Sequence, residues 1–204
     1  MQALDLGRRG FGEVEALQVS LRARVIGGDV AAEALLVVEH EPVVTLGRRG
    51  GSDGLLVPEA QLRSAGVELY TASRGGEATY HGPGQLVAYP VMTLRRGVVA
   101  HVEALACAAI RTAAHVGVEA RFDRARPGVW VEDRKLASIG VHVHRRVTMH
   151  GIALNVDDEV LVGFQRIVPC GMPGVTMTSL EREVGRKVDV REVFTTALLE
   201  ALSA

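Results

Sequence analysis

Residues 128–156, GVWVEDRKLASIGVHVHRRVTMHGIALNV, contain three apolar, β-branched segments at 128–132, 136–143 and 147–156. Short polar breaks separate them, and such breaks between β-rich runs indicate turns. A fourth strand-like segment, 119–122, precedes them. Strands in succession without an intervening helix predict an α+β fold built around a mixed or antiparallel sheet, and they disfavour a doubly wound nucleotide fold.

The rest of the chain predicts helices that flank this sheet, together with more strands. Helical patterns are found at about 12–25, 58–65, 97–116 and 190–202, and further strands are expected at 34–40, 43–46, 67–71 and 85–92. The apolar residues of 97–116 run almost all round the helix, which predicts a buried helix. Cys107, inside it, is therefore expected to be an inert core thiol.

Composition restricts the class of protein. The 204 residues are 48% hydrophobic and 23% charged with a formal net charge of −1, which excludes disorder and argues against binding bare nucleic acid. The sequence has no apolar window of membrane-spanning length and no stretch of signal-peptide character, and two cysteines are too few for a disulfide framework. We therefore expect a single domain over 1–204, located in the cytoplasm, with no membrane or nucleic-acid partner.

The segment 74–85, RGGEATYHGPGQ, is the first candidate for chemistry. It combines four glycines with Arg74, His81 and Gln85. Glycines let backbone amides approach a ligand closely, while the side chains supply directed polar groups. A structural turn between strands is the competing interpretation, but the number of reactive side chains favours a substrate-lining loop.

A second candidate is Cys170, in residues 167–174, IVPCGMPG, where prolines and glycines prevent a regular element. A nucleophilic thiolate needs a cation or general base beside it; otherwise Cys170 is a partly buried loop cysteine. Lys135 is the candidate partner, because only Lys135 and Lys187 among 23 basic residues are lysine and an arginine cannot give up its proton. An exposed, solvated lysine is the alternative for Lys135, and Lys187 is interpreted as a surface residue.

Other motifs of catalysis are weak in this sequence. His142 and His144 alternate with valines and so face one side of a strand, a spacing compatible with a metal. No third ligand lies nearby in sequence, so a polar strand edge continued by Arg145 and Arg146 is favoured and no metal site is predicted. The sequence also lacks a phosphate loop, a dinucleotide fingerprint and a serine-hydrolase elbow.

Four segments together resemble the lipoyl(octanoyl) transferases: 74–85, 135–140 (KLASIG), 150–156 (HGIALNV) and 169–171 (PCG). Residues 40–48, HEPVVTLGR, resemble the first strand pair of that family, so the likeness runs in order over about 34–182. The first helix departs from the pattern, since it has Phe11, Val14 and Leu17 where the family often has Tyr and Trp. We interpret this departure as one of packing rather than chemistry.

The resemblance implies the fold of the lipoate and biotin protein ligase catalytic domains. It also implies transfer of octanoyl, without a cofactor, from octanoyl-acyl carrier protein to a lysine of a lipoyl domain, the first step of protein lipoylation. Cys170 would be the acyl-thioester nucleophile, and Lys135 would favour its thiolate and shuttle the proton. The implied acyl-substrate site consists of Arg74, Gly75, Gly76, Glu77, Ala78, Thr79, Tyr80, His81, Ser138, Ile139, Gly140, Gly151, Ile152 and Ala153.

The implied acceptors are lipoyl domains of 2-oxoacid dehydrogenase E2 subunits and the glycine cleavage H protein, and a monomer is expected. Both protein partners would be acidic, so the arginine pairs 48–49, 95–96 and 145–146 are candidates for a docking rim; an ordinary arginine-rich surface is the alternative.

Two other enzyme functions remain as alternatives. An ATP-dependent lipoate or biotin ligase would differ in its need for ATP, and an octanoyl amidotransferase would differ in its donor. A degenerate carrier-binding module would lack Cys170 or Lys135, and both are present.

Overall fold

The computed structural model describes residues 1–203, and these residues form eleven strands and six α-helices. In chain order the elements are β1 (Gln2–Arg9), α1 (Phe11–Ile26), β2 (Ala34–His40), β3 (Val43–Leu46), α2 (Glu59–Ser64), β4 (Glu68–Thr71), β5 (Ala78–His81), β6 (Gln85–Val91), α3 (Val98–His115), β7 (Arg121–Phe122), β8 (Gly128–Val131), β9 (Arg134–His144), β10 (Val147–Asn155), α4 (Glu159–Phe164), β11 (Thr176–Met177), α5 (Leu180–Val184) and α6 (Arg191–Ser203). The predicted α+β class is confirmed, as are the four helices expected from periodicity.

The strands form two sheets. The large sheet has the order β1-β2-β6-β10-β9-β8-β7, with β11 added alongside β9, and the small sheet has the order β4-β3-β5. Antiparallel pairs dominate, while β1 with β2, β11 with β9 and β3 with β4 are parallel, so the predicted mixed sheet is confirmed. Arg145 and Arg146 both have positive φ and join β9 to β10 in a two-residue turn, as tight hairpins require.

Helices cover both faces of the large sheet. On one face, α3 and α6 bury Leu105 and Phe194 against strand residues such as Leu154. On the other face, α1 buries Val14 and Leu21 against β2 and β6. The small sheet forms its own core with α2 and α4. The candidate site lies between the α1 face of the large sheet and the small sheet, since residues of both line the same cavity.

One prediction about α3 is wrong. The helix buries one face, which includes Leu105 and Ala109, but Val98 and Val99 are 45% and 63% exposed, and Cys107 is exposed as well. Many of the apolar residues of α3 are alanines, and such small side chains do not require burial on every side of the helix. Because α3 lies on the outside of the sheet, its outer face meets water.

Other elements carry too weak a local signal to be predicted. β1 contains Asp5, Arg8 and Arg9, yet it pairs in parallel with β2 as an edge strand, whose outer side chains stay in water. β5 lies inside the glycine-rich segment, which was predicted to be a loop, and pairs antiparallel with β3. α4 and α5 are one or two turns long. No helix within residues 1–203 is long and apolar enough to cross a membrane.

Candidate active site

Cys170 and Lys135 lie in direct contact although 35 residues separate them. Cys170 occupies a short 3₁₀ turn, Pro169–Gly171, with a positive φ of 54°, and its side chain is partly exposed. Lys135 is the second residue of β9, and its Nζ donates a hydrogen bond to the Cys170 Sγ over 3.2 Å. Lys135 is fully buried, which excludes the solvated-lysine interpretation. Lys187, by contrast, is exposed and forms ion pairs with Asp157 and Glu181, as expected for a surface residue.

The stem of Lys135 is held by two residues of β8 that sequence reasoning did not select. The ring of Trp130 lies 5.4 Å from the Lys135 Nζ. A Cβ atom at Gly128 would lie 2.6 Å from the Lys135 Cε and 2.7 Å from the carbonyl oxygen of Ala137. Only a glycine at position 128 therefore leaves room for the buried lysine stem. No ion pair of residues 1–203 involves Lys135, so the Cys170 sulfur is the group placed to balance an ammonium there.

Arg74 supplies a second cation near the thiol. Its guanidinium is buried and donates from Nη2 to the carbonyl oxygen and Oγ1 of Thr45 over 2.6 and 2.7 Å, and from Nη1 to the Gly75 carbonyl oxygen over 3.0 Å. Burial lowers the pKa of Arg74 from its ordinary value, while a negative charge on Cys170 acts in the opposite direction. Since a guanidinium stays protonated in proteins, Arg74 adds positive potential at Cys170.

A cavity of about 50 Å³ opens beside Cys170. Eleven of the residues predicted to bind substrate line it: Arg74, Gly75, Gly76, Thr79, His81, Ser138, Ile139, Gly140, Gly151, Ile152 and Ala153. The other three predicted residues do not line it. The Glu77 carboxylate lies against Gly171, Ala78 is fully buried, and the Tyr80 ring packs on Phe164 at 5.8 Å in the small-sheet core.

Strand register explains how two distant motifs come to share this cavity. In the β9–β10 pair Ser138 lies opposite Ala153 and Gly140 lies opposite Gly151, which makes a surface of small residues. The Gly75 amide donates to the Val141 carbonyl oxygen over 3.2 Å, and this docks the glycine-rich segment onto β9. A Cβ atom at Gly140 would approach the Gly75 carbonyl oxygen to 3.2 Å, so the small residue permits the close approach.

A chain of buried hydrogen bonds connects His81 to the strand that carries Lys135. His81 Nδ1 lies 2.7 Å from Gln85 Oε1, Gln85 Nε2 donates to Asn155 Oδ1 over 2.9 Å, and Asn155 Nδ2 donates to the Thr178 carbonyl oxygen over 2.9 Å. The Thr178 amide in turn donates to the Lys135 carbonyl oxygen over 3.0 Å. Burial holds the pKa of His81 well below its usual range, so the imidazole is neutral. Gln85 Oε1 only accepts, so Nδ1 carries the proton.

Four cavity residues escaped the sequence analysis or were underrated by it: Phe11, Val87, Tyr89 and His150. His150 lies inside β10 with a φ of 57°, and its ring contacts Phe11 and Tyr89 at centroid distances of 6.4 and 6.0 Å. Burial lowers the pKa of His150 to about 3. Phe11 does serve packing, as expected, but the surface it packs is a cavity wall. No periodicity in the sequence could have separated these contacts from ordinary core contacts.

Three buried polar atoms on the cavity wall have no hydrogen-bond partner within the described residues: Thr79 Oγ1, Ser138 Oγ and His150 Nδ1. A buried polar group without a partner is costly, and such groups are uncommon in folded proteins. Their concentration on this wall makes the cavity a candidate ligand site. The two hydroxyls are able to donate to a carbonyl oxygen.

Basic residues lie on and beside β9, and we call this set the basic strip: Arg22, Arg48 and His142, which lie close together, with Arg49, His144, Arg145 and Arg146, which adjoin Arg48 or His142 on the loop after β3 and at the end of β9. The Arg48 amide donates to the Arg74 carbonyl oxygen over 3.0 Å, which places Arg48 beside the cavity. Arg22 Nη1 lies 3.4 Å from His142 Nδ1. Burial, and then the charges of Arg22 and Arg48, lower the pKa of His142. Residues 1–203 contain no cluster of three or more side chains suited to hold a metal ion; His142 is half-buried and His144 is exposed.

Comparison with known proteins agrees with this geometry. The family model of the lipoyl protein ligase A/B catalytic domain matches residues 14–203. An octanoyltransferase of Maridesulfovibrio salexigens is 43% identical over 196 residues, covering 95% of this chain and 91% of the relative. An octanoyltransferase of Geobacter sulfurreducens is 46% identical over 195 residues, covering 94% and 79%.

Two solved structures share the fold at low sequence identity. A putative lipoate protein ligase of Thermoplasma acidophilum superposes with a TM-score of 0.71 at 15% identity, covering 99% of this chain and 83% of its own. Biotin protein ligase of Aquifex aeolicus gives a TM-score of 0.52 at 12% identity, covering 100% and 68%. The predicted likeness to these catalytic domains is confirmed. With a family model over most of its length and octanoyltransferase relatives across nearly all of it, the chain belongs to the octanoyltransferases of the lipoyl protein ligase A/B catalytic-domain family.

Proposed function

We propose that this octanoyltransferase works through an acyl thioester on Cys170, with octanoyl-acyl carrier protein as the donor and a lysine of a lipoyl domain as the acceptor. The family establishes an acyltransferase that moves octanoyl groups in protein lipoylation. The observation that carries the proposed route is the 3.2 Å contact between Lys135 Nζ and Cys170 Sγ at the edge of a cavity.

In the first half-reaction, the Lys135 ammonium and the Arg74 guanidinium stabilise the Cys170 thiolate. The thiolate attacks the carbonyl carbon of the donor thioester, forming a new sulfur–carbon bond. The donor sulfur leaves and takes a proton from Lys135, so the products are octanoyl-Cys170, a free donor thiol and a neutral Lys135 amine. One thioester replaces another, so the exchange needs no energy source.

In the second half-reaction, the neutral amine of Lys135 acts as a base. Lys135 is neutral at this point because its proton has left with the donor thiol. The acceptor lysine attacks the octanoyl-Cys170 carbonyl, and its proton passes to Lys135 as the Cys170 thiolate leaves. An amide forms, a thioester is lost, and the starting ion pair is restored.

The unpartnered hydroxyls of the cavity wall are candidates for oxyanion stabilisation. Both steps develop negative charge on the thioester oxygen, and donors placed before the reaction are the most effective stabilisers of such charge. Ser138 Oγ and Thr79 Oγ1 are buried, lack partners and line the same cavity as Cys170. We include backbone amides of the glycine-rich segment, such as Gly76, in the same role.

The basic strip is the proposed docking surface for an acidic protein partner. Arg48, Arg49, Arg145 and Arg146 are exposed; Arg95 and Arg96 are exposed too, and Arg95 pairs with Glu33. Positive charge around the mouth of the cavity would steer an acidic donor or acceptor toward Cys170, an effect that weakens with salt. Because Glu33 offsets the charge of Arg95, the proposed docking role rests on the pairs 48–49 and 145–146, and the role of 95–96 stays a prediction.

The test is an intact-mass measurement after mixing the protein with octanoyl-acyl carrier protein, without ATP or a metal. We expect one octanoyl group that maps to Cys170, is removed by hydroxylamine and is discharged by added lipoyl domain. The exposed Cys107 is the matched control for nonspecific acylation: Cys107→Ser keeps the adduct and Cys170→Ser loses it. If no adduct forms and transfer appears only with free octanoate and ATP, the proposed route is wrong and the ligase alternative replaces it.

A further inference from the structure

Phe11 occupies a position in the cavity that the proposed reaction does not use. It is the first residue of α1, only 1% exposed, and it lines the cavity together with Cys170. Its ring lies 6.0 Å from the His81 ring and 6.4 Å from the His150 ring, with interplanar angles of 10° in both cases. The phenyl group therefore lies near both imidazoles and nearly parallel to each.

The register of the strands places this group at the end of the cavity away from Cys170. The Lys135 Nζ, which contacts Cys170, would lie 3.3 Å from a Cβ atom at Gly128, and Gly128 pairs with Ser138 of β9. Val141, which pairs with His150, follows Ser138 by three residues, and three residues of strand span about 10 Å. The β9 wall of the cavity thus runs from the thiol toward the Phe11 ring.

The ring is supported from behind and has little freedom to move aside. Phe11 contacts the Tyr70 ring at 5.0 Å and the His40 ring at 5.2 Å. His40 is itself fixed, since its Nε2 lies 2.8 Å from the Tyr89 hydroxyl and its Nδ1 lies 3.0 Å from the Arg9 carbonyl oxygen. A close-packed wall of this kind resists a longer ligand instead of yielding to it.

We infer that Phe11 closes the distal end of the acyl cavity and sets the upper limit on the length of the acyl chain. This inference rests on the proposed function, because it takes Cys170 as the point at which the chain is attached. With C–C bonds of about 1.5 Å, an extended eight-carbon chain spans about 9 Å, close to the span of about 10 Å from Ser138 to Val141. Added methylenes would press against the phenyl ring, and a smaller side chain at position 11 would admit them.

The test compares acyl chain lengths within one variant, so a general loss of stability cancels. We expect Phe11→Ala to raise the ratio of kcat/KM for decanoyl over octanoyl donor by roughly fifteenfold, because each of the two added methylenes contributes about a fourfold factor. Phe11→Trp is expected to act in the opposite direction and lower octanoyl transfer relative to hexanoyl transfer.

Phe194→Ala is the matched control, since Phe194 is fully buried in the core beside α3 and away from the cavity. It is expected to lower stability without changing any chain-length ratio. If the alanine variants do not fold, Phe11→Leu and Phe194→Leu are compared in the same way. If the chain-length ratios do not change in the Phe11 variants while Cys170 still acquires octanoyl, only this inference is wrong. If Cys170 of the unsubstituted protein acquires no octanoyl, the proposed function is wrong and this inference is wrong with it.

Discussion

Replacing Gly128 by alanine should disable the enzyme through a residue that touches no substrate. The added Cβ would lie 2.6 Å from the Lys135 Cε and 2.7 Å from the Ala137 carbonyl oxygen. Ordinary carbon contacts are about 3.5–4.0 Å, so the lysine stem must move by about 1 Å, because the carbonyl is part of the sheet. A displacement of that size lengthens the 3.2 Å contact between Lys135 Nζ and Cys170 Sγ. Misplacement by about 1 Å in an active site costs on the order of a hundredfold in rate, which is the loss of kcat that we expect.

The assay is single-turnover acylation of Cys170 from octanoyl-acyl carrier protein, followed by mass spectrometry. The rate of alkylation of Cys170 by iodoacetamide at neutral pH should fall as well, because less thiolate is present. Gly97→Ala is the matched control, since no atom lies within 4 Å of a Cβ built at Gly97. If Gly128→Ala acylates and alkylates at the rate of the Gly97→Ala variant, the reasoning about the Lys135 stem is refuted.

Three further predictions concern the thiol, the proton and the buried histidines. Cys170→Ser should abolish both the octanoyl adduct and transfer, whereas Cys107→Ser should keep both, as measured by intact mass and by lipoyl-domain modification. Lys135→Arg keeps a positive charge but cannot accept a proton, so discharge of octanoyl-Cys170 should slow by at least about a hundredfold in a single-turnover assay; wild-type discharge would rule out the proton shuttle. Burial lowers the pKa of His40 to about 4 and that of His150 to about 3, whereas both are 6.5 in the unfolded chain. Below pH 6.5 the unfolded chain therefore binds protons that the folded protein does not. The contribution of these histidines to the free energy of unfolding is complete above pH 6.5 and is lost as the pH falls toward 4. Each should cost up to about 1.4 kcal/mol per pH unit in that window, and urea titrations at pH 7 and pH 5 that give equal free energies of unfolding would contradict this.

Much of the candidate site could be predicted from the sequence, because its residues occur in short glycine-containing motifs of unusual composition. Cys170, Lys135 and the glycine-rich segment stand out locally, and eleven of the predicted substrate residues do line one cavity. Gly128 and Phe11 could not be found in this way. A glycine before a strand and a phenylalanine at the start of a helix are ordinary features, and their importance depends on neighbours that are distant in the sequence.

Local sequence was enough to predict four of the six α-helices, the β8–β9–β10 meander and the residues available for chemistry, since apolar periodicity and turn residues act over a few neighbouring positions. Which of these residues come into contact depends on the tertiary structure. The pairing of Gly140 with Gly151, the contact of Lys135 with Cys170 and the exposure of Cys107 follow from strand register and from the way helices cover the sheet. Register and packing depend on the whole set of burial and hydrogen-bonding requirements being met together, and no local stretch of sequence contains that information.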